Sequence, residues 1–243
     1  LGRADARDAR LYRGAAAFER ERTSIFAKEW LLVAHERELP HTGDTRAECL
    51  AGWPVFVRRG RDGALRGFHN VCRHRAGPLV GEGSGRHEML RCRYHGWTYD
   101  EQGALRSPPD FGRAEGFDPA RFPLFPIRVE TWRGFVFVNL DPGAPPLERS
   151  LGAFVAVAED VPLEAATFHS RIHHDLACNW KTYVENYLEG YHVPFLHPGL
   201  AREIETRGYR VEPGPGYVLH EVPARAGVER PVYQGFWAWV APN

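Results

Sequence analysis

The chain has 243 residues, enough to bury one large core or two smaller ones. Its 31 Lys and Arg match its 31 Asp and Glu, so no global field draws it to nucleic acid or to an anionic membrane. No apolar run approaches the roughly 18 residues that span a bilayer, and the opening stretch at 1–8 is too charged for a secretory signal, so the expected location is cytoplasmic.

Phe18, Ile25, Phe26 and Trp30 recur at helical intervals among charged residues and predict an amphipathic helix over 17–30. The segment 31–35 is short and apolar, and 40–44 reads as a turn. From Cys49 the pattern is that of β-structure, with strands at 53–59 and 64–70 joined by a Gly-Arg-Asp-Gly turn at 60–63. The stretch 77–91 is rich in glycine but lacks the Gly-Lys-Ser/Thr of a phosphate loop, so it is read as a connector. A turn at 99–103, an irregular stretch over 107–126, a strand at 135–140 and a Pro-rich linker at 144–146 follow. Beyond the linker, the sequence predicts a helix at 154–160 and a strand at 168–175. His169, His173 and His174 lie on that strand and are taken as surface or packing residues.

Two of the four cysteines stand in a repeated pattern: Cys72-Arg73-His74, then seventeen residues, then Cys92-Arg93-Tyr94-His95. Each short loop supplies one thiol and one imidazole. A Rieske [2Fe-2S] cluster needs two sulfur and two nitrogen ligands divided between two irons. A structural zinc site uses the same atoms but usually keeps its two Cys together and its two His together. The alternation here favours the iron cluster, and zinc remains the other candidate.

The second pattern lies at 179–197. Trp180, Tyr183, Val184, Tyr187, Leu188 and Tyr191 step by three and four, predicting a helix with one apolar stripe against a core. Glu185, Glu189 and His192 would occupy its other side, a face that is most often simply solvated. Pro194 ends the helix near 191–192, so His197 would arrive on a following turn. Two imidazoles so placed are half of a two-His-one-carboxylate iron site.

The loop motifs, with Gly96-Trp97 after the second, and the run from Asn179 through His197 resemble the large (alpha) subunits of Rieske non-haem iron oxygenases. That family comprises the ring-hydroxylating dioxygenases and related monooxygenases, among them choline monooxygenase-like enzymes. The similarity runs from about Phe18 to Leu200. It implies an α+β fold: an antiparallel β Rieske domain at 44–141, a helix-grip catalytic domain at 142–243 (a curved antiparallel sheet around a helix), and an N-terminal helical segment, 1–43, packed on the latter.

The resemblance also implies the site. Cys72 and Cys92 would bind one cluster iron and His74 and His95 the other. His192 and His197 would bind a mononuclear Fe(II), Glu189 would bridge that iron to the cluster of a neighbouring subunit, and Asn186 would stand beside it. Glu185 is the alternative partner of the iron ligands. Electrons would pass from NAD(P)H through a reductase or ferredoxin, to the cluster, to the iron, where O2 is activated to oxidise a small organic substrate, an aromatic ring or a quaternary amine. A homotrimer, or a multiple of one, would be the working assembly. A Rieske electron carrier without oxygenase activity, or a zinc-stabilised interaction module, are the readings from other classes.

Cys49 and Cys178 are read as buried thiols, because an iron-sulfur protein belongs in a reducing compartment. The family's third iron ligand is a downstream Asp or Glu, and no acidic residue follows Tyr233. With Met89 the only methionine, the expectation is a chain trimmed at both ends, the catalytic domain incomplete.

Overall fold

The computed structural model describes residues 8–111, 114–223, 225–227 and 235–243. The charged opening stretch at 1–7, and positions 112–113 of the irregular stretch, lie outside them. Helix α1 covers Ala15–Glu21 and widens at once into a π-type turn at Arg22–Phe26, so the helix expected over 17–30 is cut short. The hydroxyls of Thr23 and Ser24 donate back to the carbonyls of Glu19 and Arg20, competing with the helical ladder. Trp30 therefore leaves the helix: its ring is buried and its indole N–H donates to the Pro145 carbonyl at 3.0 Å.

Ten strands follow: β1 Leu31–His35, β2 Asp44–Leu50, β3 Trp53–Arg59, β4 Leu65–His69, β5 Gly83–Arg86, β6 Leu90–Arg91, β7 Thr98–Tyr99, β8 Leu105–Ser107, β9 Pro126–Trp132 and β10 Phe135–Asn139. Seven form one antiparallel sheet in the order β1-β10-β9-β4-β3-β2-β5, and β6, β7 and β8 form a small second one. Strand β3 shows how the cores divide. Phe56 faces the small sheet, with Phe68, Cys72, Cys92, Trp97 and Tyr99, while Val55 and Val57 face the opposite side, with Val33, Ile127 and Val136. Alternate residues of a strand point to opposite faces, so one strand lines both cores.

The supposed connector contains β5, which pairs Gly83 to Arg86 with β2. An edge strand needs only backbone partners, and a side chain at Gly85 would press on the His87 ring at 3.0 Å and Thr45 Oγ1 at 3.3 Å. Strand β9 falls partly on residues read as irregular, and it opens on Pro126, where a missing N–H costs no ladder bond.

Helices α2 (Leu147–Leu151) and α3 (Phe154–Val157) come next, α3 shorter than expected. The strand expected at 168–175 is absent, and that segment is exposed. It is tied down instead through Arg171, whose guanidinium donates to the Val33 carbonyl at 3.1 Å and pairs with Glu38 at 3.3 Å. His169, His173 and His174 are exposed on it. Cys49 and Cys178 are free thiols, and both are exposed where burial was expected.

The remainder is α4 (Trp180–Tyr187), α5 (Val193–Leu196), α6 (Pro198–Glu203) and an antiparallel sheet of β11 (Arg210–Gly214), β12 (Tyr217–Val222) and β13 (Gly235–Val240). The architecture is α+β with antiparallel sheets, as the sequence led us to expect. The α1 region lies against α4: Phe26 meets Trp180 edge-on at 5.0 Å, and Glu21 accepts from the Trp180 indole at 2.8 Å and pairs with Lys181. Among the described residues, no helix is long and apolar enough to cross a membrane.

Candidate metal centres

The two cysteine loops are built alike. In the first, the Cys72 N–H donates to the Gly77 carbonyl and the Ala76 N–H to that of Cys72, each at 2.9 Å. In the second, Cys92 donates to Trp97 and Gly96 to Cys92, again at 2.9 Å. The fourth residue after each cysteine has positive φ, 56° at Ala76 and 73° at Gly96. Asn70, buried before the first loop, accepts from Leu79 N–H at 2.8 Å and donates to the Val80 carbonyl at 2.9 Å. That ties the exit of the first loop to its entrance.

Both thiols are buried, and Cys92 stands close enough to Cys72 to act on its ionisation. Burial pushes the Cys72 thiol above its usual range, so a thiolate here needs a cation beside it. A side chain at Gly77 would approach Cys92 Sγ to 3.1 Å, so glycine lets the loops close on each other. The rings of His74 and His95 lie 4.5 Å apart. His74 Nδ1 is buried with no hydrogen-bond partner, as is expected of a nitrogen kept for a metal.

Among the described residues, no three His, Cys, Asp or Glu gather round one point. Cys72, His74, Cys92 and His95 divide into a pair of thiols and a pair of imidazoles, the donor set of a two-iron cluster.

Two residues that the motif reading left without a role complete this site. Trp97 stacks on the His74 ring at 4.9 Å and 10°, and it is edged by Phe111, Phe117 and Phe122. The Tyr99 hydroxyl, fully buried, lies 3.3 Å from Cys72 Sγ and accepts the Arg73 N–H at 3.1 Å. Burial and the Cys72 contact hold its phenol well above the ordinary range, so it is a neutral donor aimed at the sulfur. Its position two residues after Trp97 on β7 was the available signal.

The second centre departs further from the expectation. Helix α4 stops at Tyr187, with Leu188 as its cap, so Glu189 and His192 stand on the turn beyond it and not on a helical face. The apolar stripe is not buried: Tyr183 is 49%, Tyr187 45% and Tyr191 86% exposed. Glu185 turns away to accept the Tyr12 hydroxyl, and Asn186 is exposed.

Glu189 bonds His192 Nδ1 through one carboxylate oxygen and accepts the Tyr191 and His192 N–H groups through the other. Burial alone would raise this carboxyl, but the His192 ring and the two amides hold it below the usual range. A carboxylate on Nδ1 fixes the ring and presents Nε2 outward, the arrangement found behind metal-bound histidines. The His197 ring lies 5.1 Å from that of His192. These residues fit part of a mononuclear iron site, and it is Glu189, not Glu185, that bonds His192.

Glu189, Gly190, Tyr191, Val193 and Pro194, with Tyr209 opposite, border a cavity of about 630 Å³. Gly190 is the tight point. A β-carbon there would lie 2.6 Å from Cε1 and 2.7 Å from Cζ of the Tyr209 ring. We expect Gly190→Ala to cost about 1–3 kcal/mol through overpacking, and to lower the thermal midpoint by several degrees, as scanning calorimetry would show.

Comparison with known proteins finds a domain match for each of the two regions. A model of the Rieske [2Fe-2S] domain matches residues 29–126, and a model of the ring-hydroxylating alpha subunit catalytic domain matches residues 163–235. The carnitine monooxygenase oxygenase subunit of Acinetobacter pittii is 34% identical over 245 residues, covering 94% of this chain and 64% of the relative. The chloroplastic choline monooxygenase of Beta vulgaris is 30% identical, covering 96% and 54% respectively. A solved quaternary ammonium Rieske monooxygenase, described for carnitine oxidation and inter-subunit electron transfer, superimposes with a TM-score of 0.88 at 31% identity, covering 96% of this chain and 65% of its own. The chain thus spans less than two thirds of the length of these relatives.

Proposed function

Because this chain belongs to the Rieske oxygenase alpha-subunit family, with the [2Fe-2S] cluster and mononuclear iron that its two matched domains imply, we propose that it is the greater part of an oxygenase component acting on a quaternary amine. The observation that carries this is the presence, in one chain, of two like-built cysteine loops and a histidine pair, His192 held by the Glu189 carboxylate with His197 beside it; an electron carrier has no use for the second. The cluster ligands are Cys72, Cys92, His74 and His95, and the iron ligands His192 and His197. When bound, the cluster relays electrons and the ferrous ion activates dioxygen.

The chain's own groups do the rest. The Tyr99 hydroxyl donates to Cys72 Sγ, Trp97 screens His74 from water, and Glu189 holds the His192 ring while facing the neighbouring subunit. A quaternary amine is favoured over an aromatic hydrocarbon because the relatives compared above act on carnitine and choline. A reductase or ferredoxin drawing on NAD(P)H is the electron source, and a ring of three subunits, or a multiple of it, is the assembly. The division that goes with this reading is 1–43, 44–141 and 142–243, with β1 lent to the cluster domain's sheet by the first segment.

The test is turnover by the full-length polypeptide with a reductase, NADH, O2 and carnitine, choline or glycine betaine. Amine-dependent NADH and O2 consumption with an oxygenated product is expected. An iron-sulfur protein that is reduced but consumes no O2 with any amine or aromatic substrate would leave the carrier reading.

Tyr99→Phe gives a finer check. Reduction adds negative charge to the cluster, so loss of a donor to its sulfur lowers the potential. A hydrogen bond of about 1.4 kcal/mol corresponds to a fall of about 60 mV for one electron, measurable by redox titration of the visible spectrum.

A further inference from the structure

Behind the Glu189 turn stands a polar pair, a buried histidine and a half-buried tyrosine, that the mechanism above does not use. His220, on β12, is 1% exposed, and its Nδ1 lies 2.9 Å from the Tyr209 hydroxyl. Its ring stacks on Trp237 at 5.5 Å and 12°, and the Tyr209 ring meets the same indole edge-on at 5.6 Å. Burial, and then the Glu189 charge, push the Tyr209 phenol up to about 12, so it is a neutral donor. A neutral imidazole that accepts at Nδ1 carries its proton on Nε2. That nitrogen is buried and makes no hydrogen bond of ordinary geometry. Burial lowers the imidazole's pKa, and the Tyr187 carbonyl is the first group to raise it again.

The pair therefore bears on the chain beside Glu189: the Tyr209 ring, oriented by its bond to His220, is the surface on which Gly190 rests. Apolar residues of the same shape would fill this space with no polar group to satisfy. A hydrogen-bonded phenol and imidazole add direction, because they fix orientation as well as volume.

We propose that Tyr209 and His220 are positioning residues that set the Glu189 turn from behind, and through it the delivery of electrons to the iron centre. This rests on the oxygenase reading above, with Glu189 between the iron and the neighbouring cluster. The pair touches no reacting atom. It holds the carboxylate in one place, so that its bonds to the His192 ring and to the Tyr191 and His192 N–H groups keep their geometry.

The experiment uses the full-length holoenzyme and the variant Tyr209→Phe, which keeps the ring and removes the hydroxyl. The expected result is a kcat about tenfold lower with KM and the cluster's visible spectrum unchanged, and faster amide hydrogen exchange confined to 188–193, where Tyr191 and His192 N–H bond Glu189. His220→Gln, whose amide oxygen can still accept from Tyr209, should restore most of both signals, and His220→Leu should match Tyr209→Phe.

Wild-type exchange at 188–193 in Tyr209→Phe overturns the proposal, as does a rise in exchange spread over the whole chain. If the wild-type protein oxidises no substrate, the oxygenase reading fails on its own evidence. The exchange measurement, which needs no turnover, then still decides whether the pair holds the turn.

Discussion

Cys92→Ser is expected to yield protein without colour and with almost no acid-labile sulfide, where the parent holds about two sulfides per chain. Cys92 is buried against the first loop, its sulfur over Gly77 and its N–H bonded to the Trp97 carbonyl. A serine fits that space. What it lacks is a soft thiolate, and a hydroxyl is a poor ligand for iron-sulfur centres. The loops would keep their hydrogen bonds but lose the group that makes burial of Cys72 and His74 Nδ1 tolerable. Because metal binding at such a site is also folding energy, the thermal midpoint should fall as well. Cys49→Ser and Cys178→Ser, both exposed thiols away from the loops, should retain sulfide, colour and stability. Sulfide analysis and the paramagnetic signal after reduction check the series, and a Cys92→Ser protein with its full sulfide content would remove the basis of the cluster assignment.

His192→Ala should give the opposite pattern: colour and sulfide intact, oxidation of the amine lost. With His192 in the proposed role of iron ligand, its removal should lower turnover by at least about a thousandfold, or roughly 4 kcal/mol of barrier. Glu189→Gln should fall between, because an amide still reaches His192 Nδ1 but no longer favours the same ring state. Partners of this kind cost about 10–100-fold when altered. The measurement is a single turnover of the reduced protein, following reoxidation of the cluster when amine and O2 are added. A His192→Ala protein that reoxidised at the parent rate and formed product would sink the assignment of the iron to this turn.

The cluster loops were legible in the sequence because their chemistry is local. Each needs one Cys and one His two or three residues apart, and nothing distant decides that spacing. Strand β3 was equally plain, since Trp53–Arg59 carries its own turn signal at 60–63. The second centre was harder, because the three-and-four periodicity of 180–191 continues past the end of α4. What stops the helix is Glu189, whose carboxylate takes the Tyr191 and His192 N–H groups and so makes a turn. A pattern of apolar residues does not contain that competition. Strand β5 escaped notice because it pairs by backbone alone, and the segment 168–175 is held by the Arg171 side chain, on Val33 and Glu38, in place of a strand ladder. His220 gave no signal at all: one histidine in a strand acquires meaning only from Tyr209 and Trp237, which other elements bring to it.

The order of the large sheet also bears on how the molecule is made. Strand β1 is synthesised first among its strands, yet among the described residues it pairs in the sheet with β10 alone, with Leu31 opposite Val138. The β2-β3-β4 meander is local by contrast, and both cysteine loops are complete well before Phe135–Asn139 leaves the ribosome. Long-range pairing of this kind is slow compared with hairpin formation. On a growing polypeptide, the thiols and imidazoles are therefore in place while one border of the sheet still waits for its last strand, and the apolar side of β1 is the surface that a nascent chain must keep from aggregating until then.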